Sequence, residues 1–239
     1  MKKLYTIIIV AIMLQLSHIE KVDAQISLGF RAGANIAQFS FHTSETYGVS
    51  QSKTRLNGAF RVNVPLNSLF KIQLEPGYTQ LGTKYLTHSK YKSSDGTTED
   101  IEKLDVATNY FELPLLLQLN PRLGRFETII NLGPEIRYRT GKVKGKSSYS
   151  YSENGTIVEE DESGPEDDFD EDFSKFDYGI AGGVGVALPI KSFKVFAEAR
   201  YHFGLTNLVN KDNYQDFDGT VQNRAVSLNV GVLYSLQKK

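Results

Sequence analysis

The 239-residue chain contains no cysteine, so disulfides, thiolate metal centres and cysteine nucleophiles are all excluded. It also lacks an excess of either charge. Lysine and arginine number 27 against 28 acidic residues, a balance that offers no argument for a nucleic-acid partner. Beyond Leu16 no apolar run approaches the roughly 18 residues that a membrane-spanning helix needs. Nor does any later stretch show the 3.6-residue period of an amphipathic helix. Histidine is scarce, with four in all, which confines general acid–base chemistry to few positions.

The N-terminus is the one apolar exception. Met1, Lys2 and Lys3 precede an apolar stretch from Leu4 to Leu16, and Val22, Asp23 and Ala24 follow a polar segment. A charged start, a short apolar region and small residues before a cut after Ala24 are what export machinery and signal peptidase read. Residues 1–24 are therefore expected to be a cleaved signal peptide, its apolar stretch from Leu4 to Leu16 too short for a membrane anchor. The cut falls at no cysteine, which argues against a lipoprotein. Residues 25–239 then form a single domain of near-neutral charge.

Turn signals and period-two alternation divide that domain into eight expected strands: 26–37, 58–66, 69–80, 106–120, 126–140, 175–190, 193–206 and 224–236. One parity is apolar and the other polar or small, which in a strand means two different faces. Phe111, Leu113, Leu115, Leu117 and Leu119 alternate with Tyr110, Glu112, Pro114, Leu116 and Gln118. Ile130, Leu132, Ile136 and Tyr138 alternate with Asn131, Gly133, Glu135, Arg137 and Arg139.

Alternation alone also fits a soluble sandwich or a ligand-carrying barrel. The connections separate these readings. After the second, fourth and sixth segments the links are tight (Asn67 and Ser68; Pro121 to Arg125; Lys191 and Ser192), whereas the others run roughly 17 to 35 residues. Short turns at one end and long loops at the other, with an even strand number, describe a bacterial outer-membrane barrel.

Charge placement gives an independent test. Arg31, Arg61, Glu75, Glu112, Glu135, Arg137, Glu198 and Arg200 all fall on the polar parity near mid-strand. On the lipid side, Arg or Lys would cost about 2–4 kcal/mol at the midplane. An eight-strand interior is about wide enough for side chains to fill it, so these four positive and four negative residues are expected to plug the lumen. Gly29, Gly33, Gly77, Gly133, Gly179, Gly183, Gly185 and Gly231 share the inward parity, as a narrow barrel requires. Tyr78, Tyr138, Tyr178, Tyr201 and Phe203 lie toward the outer ends on the apolar parity, as an aromatic girdle does.

Other motifs have plainer readings. Gly141 to Ser147 ends in Gly-Lys-Ser like a phosphate-binding loop, but its glycine spacing is one residue short and no helix follows; it reads as an exposed basic loop. Gly179, Gly182, Gly183 and Gly185 continue as strand, where a dinucleotide site needs a helix. An acidic extracellular loop holds Glu159, Glu160, Asp161, Glu162, Glu166, Asp167, Asp168, Asp170, Glu171 and Asp172. Phe173 stands where a calcium loop needs glycine and Gly179 where it needs glutamate, so a solvated, flexible acidic loop is expected and no metal site. His202 faces inward, with Asp177 or Ser227 as partners to inspect; a lumen histidine bonded to its neighbours is the ordinary reading, and no catalytic residue is assigned.

Four phrases form a recognisable set: Leu28 to Asn35, Leu74 to Tyr78, Tyr110 to Leu117, and Asn131 to Glu135. Over essentially the whole mature chain the sequence resembles the PorT-like outer-membrane β-barrel family of the Bacteroidetes. The resemblance implies an all-β fold, an eight-stranded antiparallel up-and-down transmembrane barrel with both termini in the periplasm. Only the namesake branch of that family is tied to type IX secretion and gliding. One departure is the ending Ser235 to Lys239, where many such barrels finish on an aromatic residue; Tyr234 and Leu236 stand nearest that role.

The expected function is therefore that of a non-enzymatic, cofactor-free barrel acting through its loops in partner binding or envelope integrity. A type IX secretion component is the sharper version; a small-solute channel and a lipid-modifying enzyme are the alternatives. Expected partners are outer-membrane lipids, the β-barrel assembly machinery, and envelope or secretion-system proteins, with no nucleic acid.

Overall fold

The computed structural model describes residues 25–42, 49–93, 96–161, 166–168, 173–209 and 219–236; the expected signal peptide lies outside them. Among the described residues there is no helix, and all regular structure is antiparallel β. The wall consists of β1 (Ser27–His42), β2 (Lys53–Pro65), β3 (Phe70–Leu74 and Gly77–Ser93), β4 (Gly96–Leu119), β5 (Phe126–Arg139), β6 (Phe176–Ile190), β7 (Phe193–Gly204) and β8 (Thr220–Ser235).

The two segments of β3 are one strand. Leu74 lies opposite Val62 and Leu115, and Gly77 opposite Ala59 and Glu112, so the register on both sides runs unbroken through Glu75 and Pro76. The interruption falls where Pro76 has no N–H to donate. The wall still closes there, because Phe60 N donates to Pro76 O and Glu75 N to Pro114 O at 3.0 and 3.2 Å. Each wall strand pairs with its sequence neighbours, and β8 returns to β1, from Ser27 opposite Ser235 to His42 opposite Thr220. Closure leaves the wall without a free sheet edge, the condition for a β-structure to sit in lipid.

Side-chain parity follows the sequence pattern. Phe30 is 69% exposed while its neighbour Arg31 is buried, and the same alternation runs along β4, β5, β7 and β8. The exposed face is a continuous apolar band, far larger than a water-soluble surface tolerates. Tyr78, Phe111, Tyr138 and Phe176 are successive register partners across β3 to β6, and all are exposed. Phe193 and Tyr234 pair at the opposite rim, with ring centroids 5.1 Å apart. From Phe126 to Tyr138, a rise of about 3.3 Å per residue at a tilt near 40° spans roughly 30 Å, a bilayer core.

The tight turns occur where expected. Asn67 Oδ1 accepts from Leu69 N and Phe70 N at 2.9 and 2.7 Å, and Gly124 and Lys191 take the left-handed conformation (φ 63° and 54°) that turns require. This end is periplasmic by the short-turn rule.

The long connections differ from the sequence reading. β3 and β4 continue past the expected ends, Gln80 and Val106, as a hairpin in which Leu81 faces Thr108 and Ser93 faces Gly96. Strand Lys144–Glu153 adds to β4, Thr156–Asp161 adds to that strand, and Val49–Gln51 adds to β3, building a sheet outside the membrane. From 84 to 92 and from 96 to 105 no residue is buried, so apolar alternation disappears while backbone pairing persists. The described parts of the acidic segment are strand where a loop was expected. Glu159, Glu160 and Asp161 lie exposed on Thr156–Asp161, and Glu166–Asp168 is a strand whose register sets it against Lys144–Lys146. The run read as a basic loop thus contributes the strand partner of this acidic run. Glu162, Asp170, Glu171 and Asp172 lie outside the described residues.

One glycine is required by a close approach. A Cβ on Gly231 would lie 2.5 Å from Phe196 Cζ and collide with Phe30 O. Gly231→Val is expected to cost about 1–3 kcal/mol by overpacking, read as a lower urea midpoint for the compact, heat-modifiable form. Because part of the clash is with backbone, Phe196→Leu should restore only part of the loss.

Candidate functional site

The lumen is the candidate site, and β7 lays out its layers. Its inward positions run Lys194, Phe196, Glu198, Arg200 and His202 from the periplasmic end outward, matched on β5 by Glu127, Ile129, Asn131, Gly133, Glu135 and Arg137.

An apolar layer comes first above the mouth. Ile129, Ala187, Phe196 and Leu233 pack together, each at most 4% exposed. Above them three guanidinium groups converge on one carboxylate. Glu75 takes Arg31 Nε at 2.9 Å, Arg200 Nη1 at 2.7 Å, and Arg61 Nε. Gln73 Nε2 donates to it as well, at 2.9 Å. Arg31 reaches on to Glu112 at 2.6 Å, while Arg61 and Arg200 share Glu198 at 3.1 and 2.8 Å. Arg61 also lies 4.0 Å over the Phe196 ring, a cation–π contact binding the charged layer to the apolar one. Charges taken out of water need partners and filled lone pairs, and Asn131 and Asn229 donate or accept at the cluster's margin.

A second cluster lies one layer outward. Arg137 pairs with Glu135 and, at 2.8 Å, with Asp177, to which Asn223 Nδ2 also donates at 2.8 Å. His202 Nδ1 is 2.8 Å from Glu135 Oε2, and its Nε2 is 3.0 Å from Ser227 Oγ. These are the separations of a serine–histidine–carboxylate relay. Ser227, however, is 1% exposed, and Asn229 Nδ2 donates to its Oγ at 3.0 Å. A carbonyl substrate therefore has no approach to Oγ, and the chain of bonds acts as a brace from β5 through β7 to β8.

The outer mouth is closed by residues the sequence pattern does not single out. Val143 and Leu208, both fully buried, come from two different loops and pack with Phe39, Val106 and Val221. Phe173 and Val209, joined by a β-bridge, lie against this cap. Arg139 holds the cap in place by donating to Gly141 O at 3.2 Å and Phe173 O at 3.0 Å.

All eight strand charges singled out from the sequence are buried, and all enter these two clusters. Asp177 and His202 join the outer cluster, while Arg139 serves the cap; Asp177 and Arg139 were legible by the same parity rule. The cap was not, because isolated apolar residues in polar loops carry no period. Among the described residues no group of carboxylates and histidines is arranged to hold a metal ion. Outside the membrane, Lys90 hydrogen-bonds to Glu99 and holds its carboxyl below the ordinary range.

A closed antiparallel barrel with an apolar belt, aromatic rims and a charge-filled interior defines an outer-membrane β-barrel protein. The chain belongs to the outer membrane protein beta-barrel domain family, whose profile matches residues 16–210. The wall is completed beyond that match by β8. Similar solved structures include Ail, the attachment invasion locus protein of Yersinia pestis (12% identity, 89% of this chain and 99% of that one, TM-score 0.37). OprG from Pseudomonas aeruginosa is similar at 13% identity over 90% and 98% of the two chains, TM-score 0.43. Neisserial surface protein A is similar at 16% identity over 87% and 97%, TM-score 0.36. No curated protein matches the sequence.

Proposed function

We propose that this protein is a non-conducting, non-enzymatic outer-membrane barrel that acts through its extracellular face, binding an envelope or extracellular partner. A PorT-like role in type IX secretion is the sharper form of the same reading, and rests on the sequence resemblance. The observation that carries the proposal is the division of labour along the axis. The lumen is filled by paired charges between apolar layers, while β3, β4 and the strands added to them raise a sheet beyond the membrane. Its outermost strand, Thr156–Asp161, pairs on one side only among the described residues and exposes Ile157 and Val158 beside three carboxylates, an edge suited to strand addition by a partner.

The test is to replace residues 144–161 with a short turn and return the gene to a deletion strain. The shortened barrel should keep its heat-modifiable band and fail to complement; full complementation would refute the reading. For the sharper form, deletion should abolish export of type IX cargo, and unchanged export would remove it. The relay-like spacing around His202 is what a second reading, a lipid-modifying enzyme, would rest on, and the burial of Ser227 weighs against it. His202→Gln is expected to leave the lipid profile unchanged, and an altered profile would reverse that order.

A further inference from the structure

We propose that the periplasmic mouth of the barrel is a binding site for a phosphate-bearing anion, met in the membrane as the headgroup of an anionic phospholipid. This inference is independent of the extracellular reading. A cavity of about 420 Å³ opens where the 121–125 turn approaches the Lys191–Ser192 turn, a size within the roughly 300–1,000 Å³ of ligand pockets.

Its lining carries Arg122, Arg125, Lys191 and Lys194 against a single carboxylate, Glu127. That carboxylate is already engaged. Lys194 Nζ donates to both of its oxygens at 2.8 and 2.7 Å, and Lys71 Nζ stands 3.8 Å away. Among the described residues Arg122, Arg125 and Lys191 make no side-chain hydrogen bond or ion pair. In a chain of 27 basic and 28 acidic residues, such a local excess is not a product of composition. Like charges held around one cavity repel each other, and an anion with several acceptor oxygens relieves this. The planar fork of arginine suits a phosphate bidentately.

Height in the membrane selects the ligand class. The Arg125 guanidinium lies 5.2 Å from the Phe126 ring, and Phe193 and Tyr234 pair on the outer face of the same rim. Aromatic residues on a barrel's outer face mark the level of the headgroups. Arg122, Arg125 and Lys191 therefore stand at the level where phosphates are concentrated.

The experiment uses the full mature chain refolded in a neutral detergent. Calorimetric titrations compare dihexanoyl-phosphatidylglycerol, its phosphatidylcholine counterpart, sn-glycerol 3-phosphate, and N-acetyl-alanine as a carboxylate. The Arg122→Gln, Arg125→Gln, Lys191→Gln triple variant changes exposed turn residues, and its folding is checked by the heat-modifiable band. Arg122→Gln and Lys191→Gln alone serve as milder second variants.

Saturable, salt-sensitive binding of phosphatidylglycerol is expected, weakened about tenfold or more in the triple variant and by smaller steps in the single ones. Phosphatidylcholine, whose phosphate carries its own cation, should bind more weakly. Phosphatidylglycerol bound more tightly than glycerol phosphate identifies the membrane as the source; equal affinities identify a soluble phosphate compound and keep the phosphate site. Absence of saturable binding, a carboxylate bound as tightly as the phosphates, or affinities unchanged in the variants would overturn the proposal.

Discussion

Exchanging Glu75 for glutamine is expected to cost the barrel about 3–5 kcal/mol of folding free energy, although the two side chains have nearly the same shape. The cause is charge alone. Glu75 is the common partner of Arg31, Arg61 and Arg200, all buried, so its neutralisation leaves three guanidinium groups with the carboxylates of Glu112 and Glu198 only. Removing one partner of a buried ion pair strands the other in a medium that cannot solvate it. The readout is a urea midpoint in vesicles, followed by the gel shift between compact and unfolded forms, since the chain has no tryptophan. Glu99→Gln is the matched control. Its pairing with Lys90 is exposed, water screens it, and its midpoint should not move. An unchanged midpoint for Glu75→Gln would mean that the cluster is solvated.

The second large effect belongs to the opposite face. Leu132→Arg should cost about 2–4 kcal/mol, and Tyr234→Arg about 0–1 kcal/mol. Both residues are exposed on the outer surface, Leu132 at 62%, but Leu132 lies at the middle of β5 and Tyr234 at the periplasmic rim. Only a hydrocarbon layer makes depth matter in this way; on a water-exposed sheet the two exchanges would cost the same. Equal costs would therefore contradict a lipid-facing belt. The same series separates the two faces, because Leu132 and Asn131 are adjacent in sequence yet look into different media.

Much of this was legible in the sequence for a simple reason. Within the membrane each strand has one apolar and one polar medium beside it, and period-two patterning records which is which. Arg31, Arg61, Glu75 and their counterparts were therefore placed in the lumen by parity alone, and the alternation of link lengths gave the orientation. Partner choice was not legible. Parity shows that Arg61 on β2 faces inward, but its contact with Glu198 on β7 depends on strand tilt and stagger, which no local pattern encodes.

The extracellular sheet was missed for the converse reason. With no residue of 84–92 buried and only Gly145 buried in Lys144 to Glu153, these segments need no apolar alternation to be strands, and their polar composition reads as loop. The cap was missed because Val143 and Leu208 act as single residues brought together from distant loops. Asp177 is a different case. It stands on the inward parity of β6 and answers Arg137, so the rule that found the other charges applied to it equally.

Single-channel recording of the refolded protein in a planar bilayer tests the sealed lumen most directly. With Ile129, Phe196 and Leu233 closing one end, Phe39, Val143 and Leu208 the other, and paired charges between them, a flat baseline with no reproducible current steps is expected. Stable openings of uniform, porin-like conductance would contradict it.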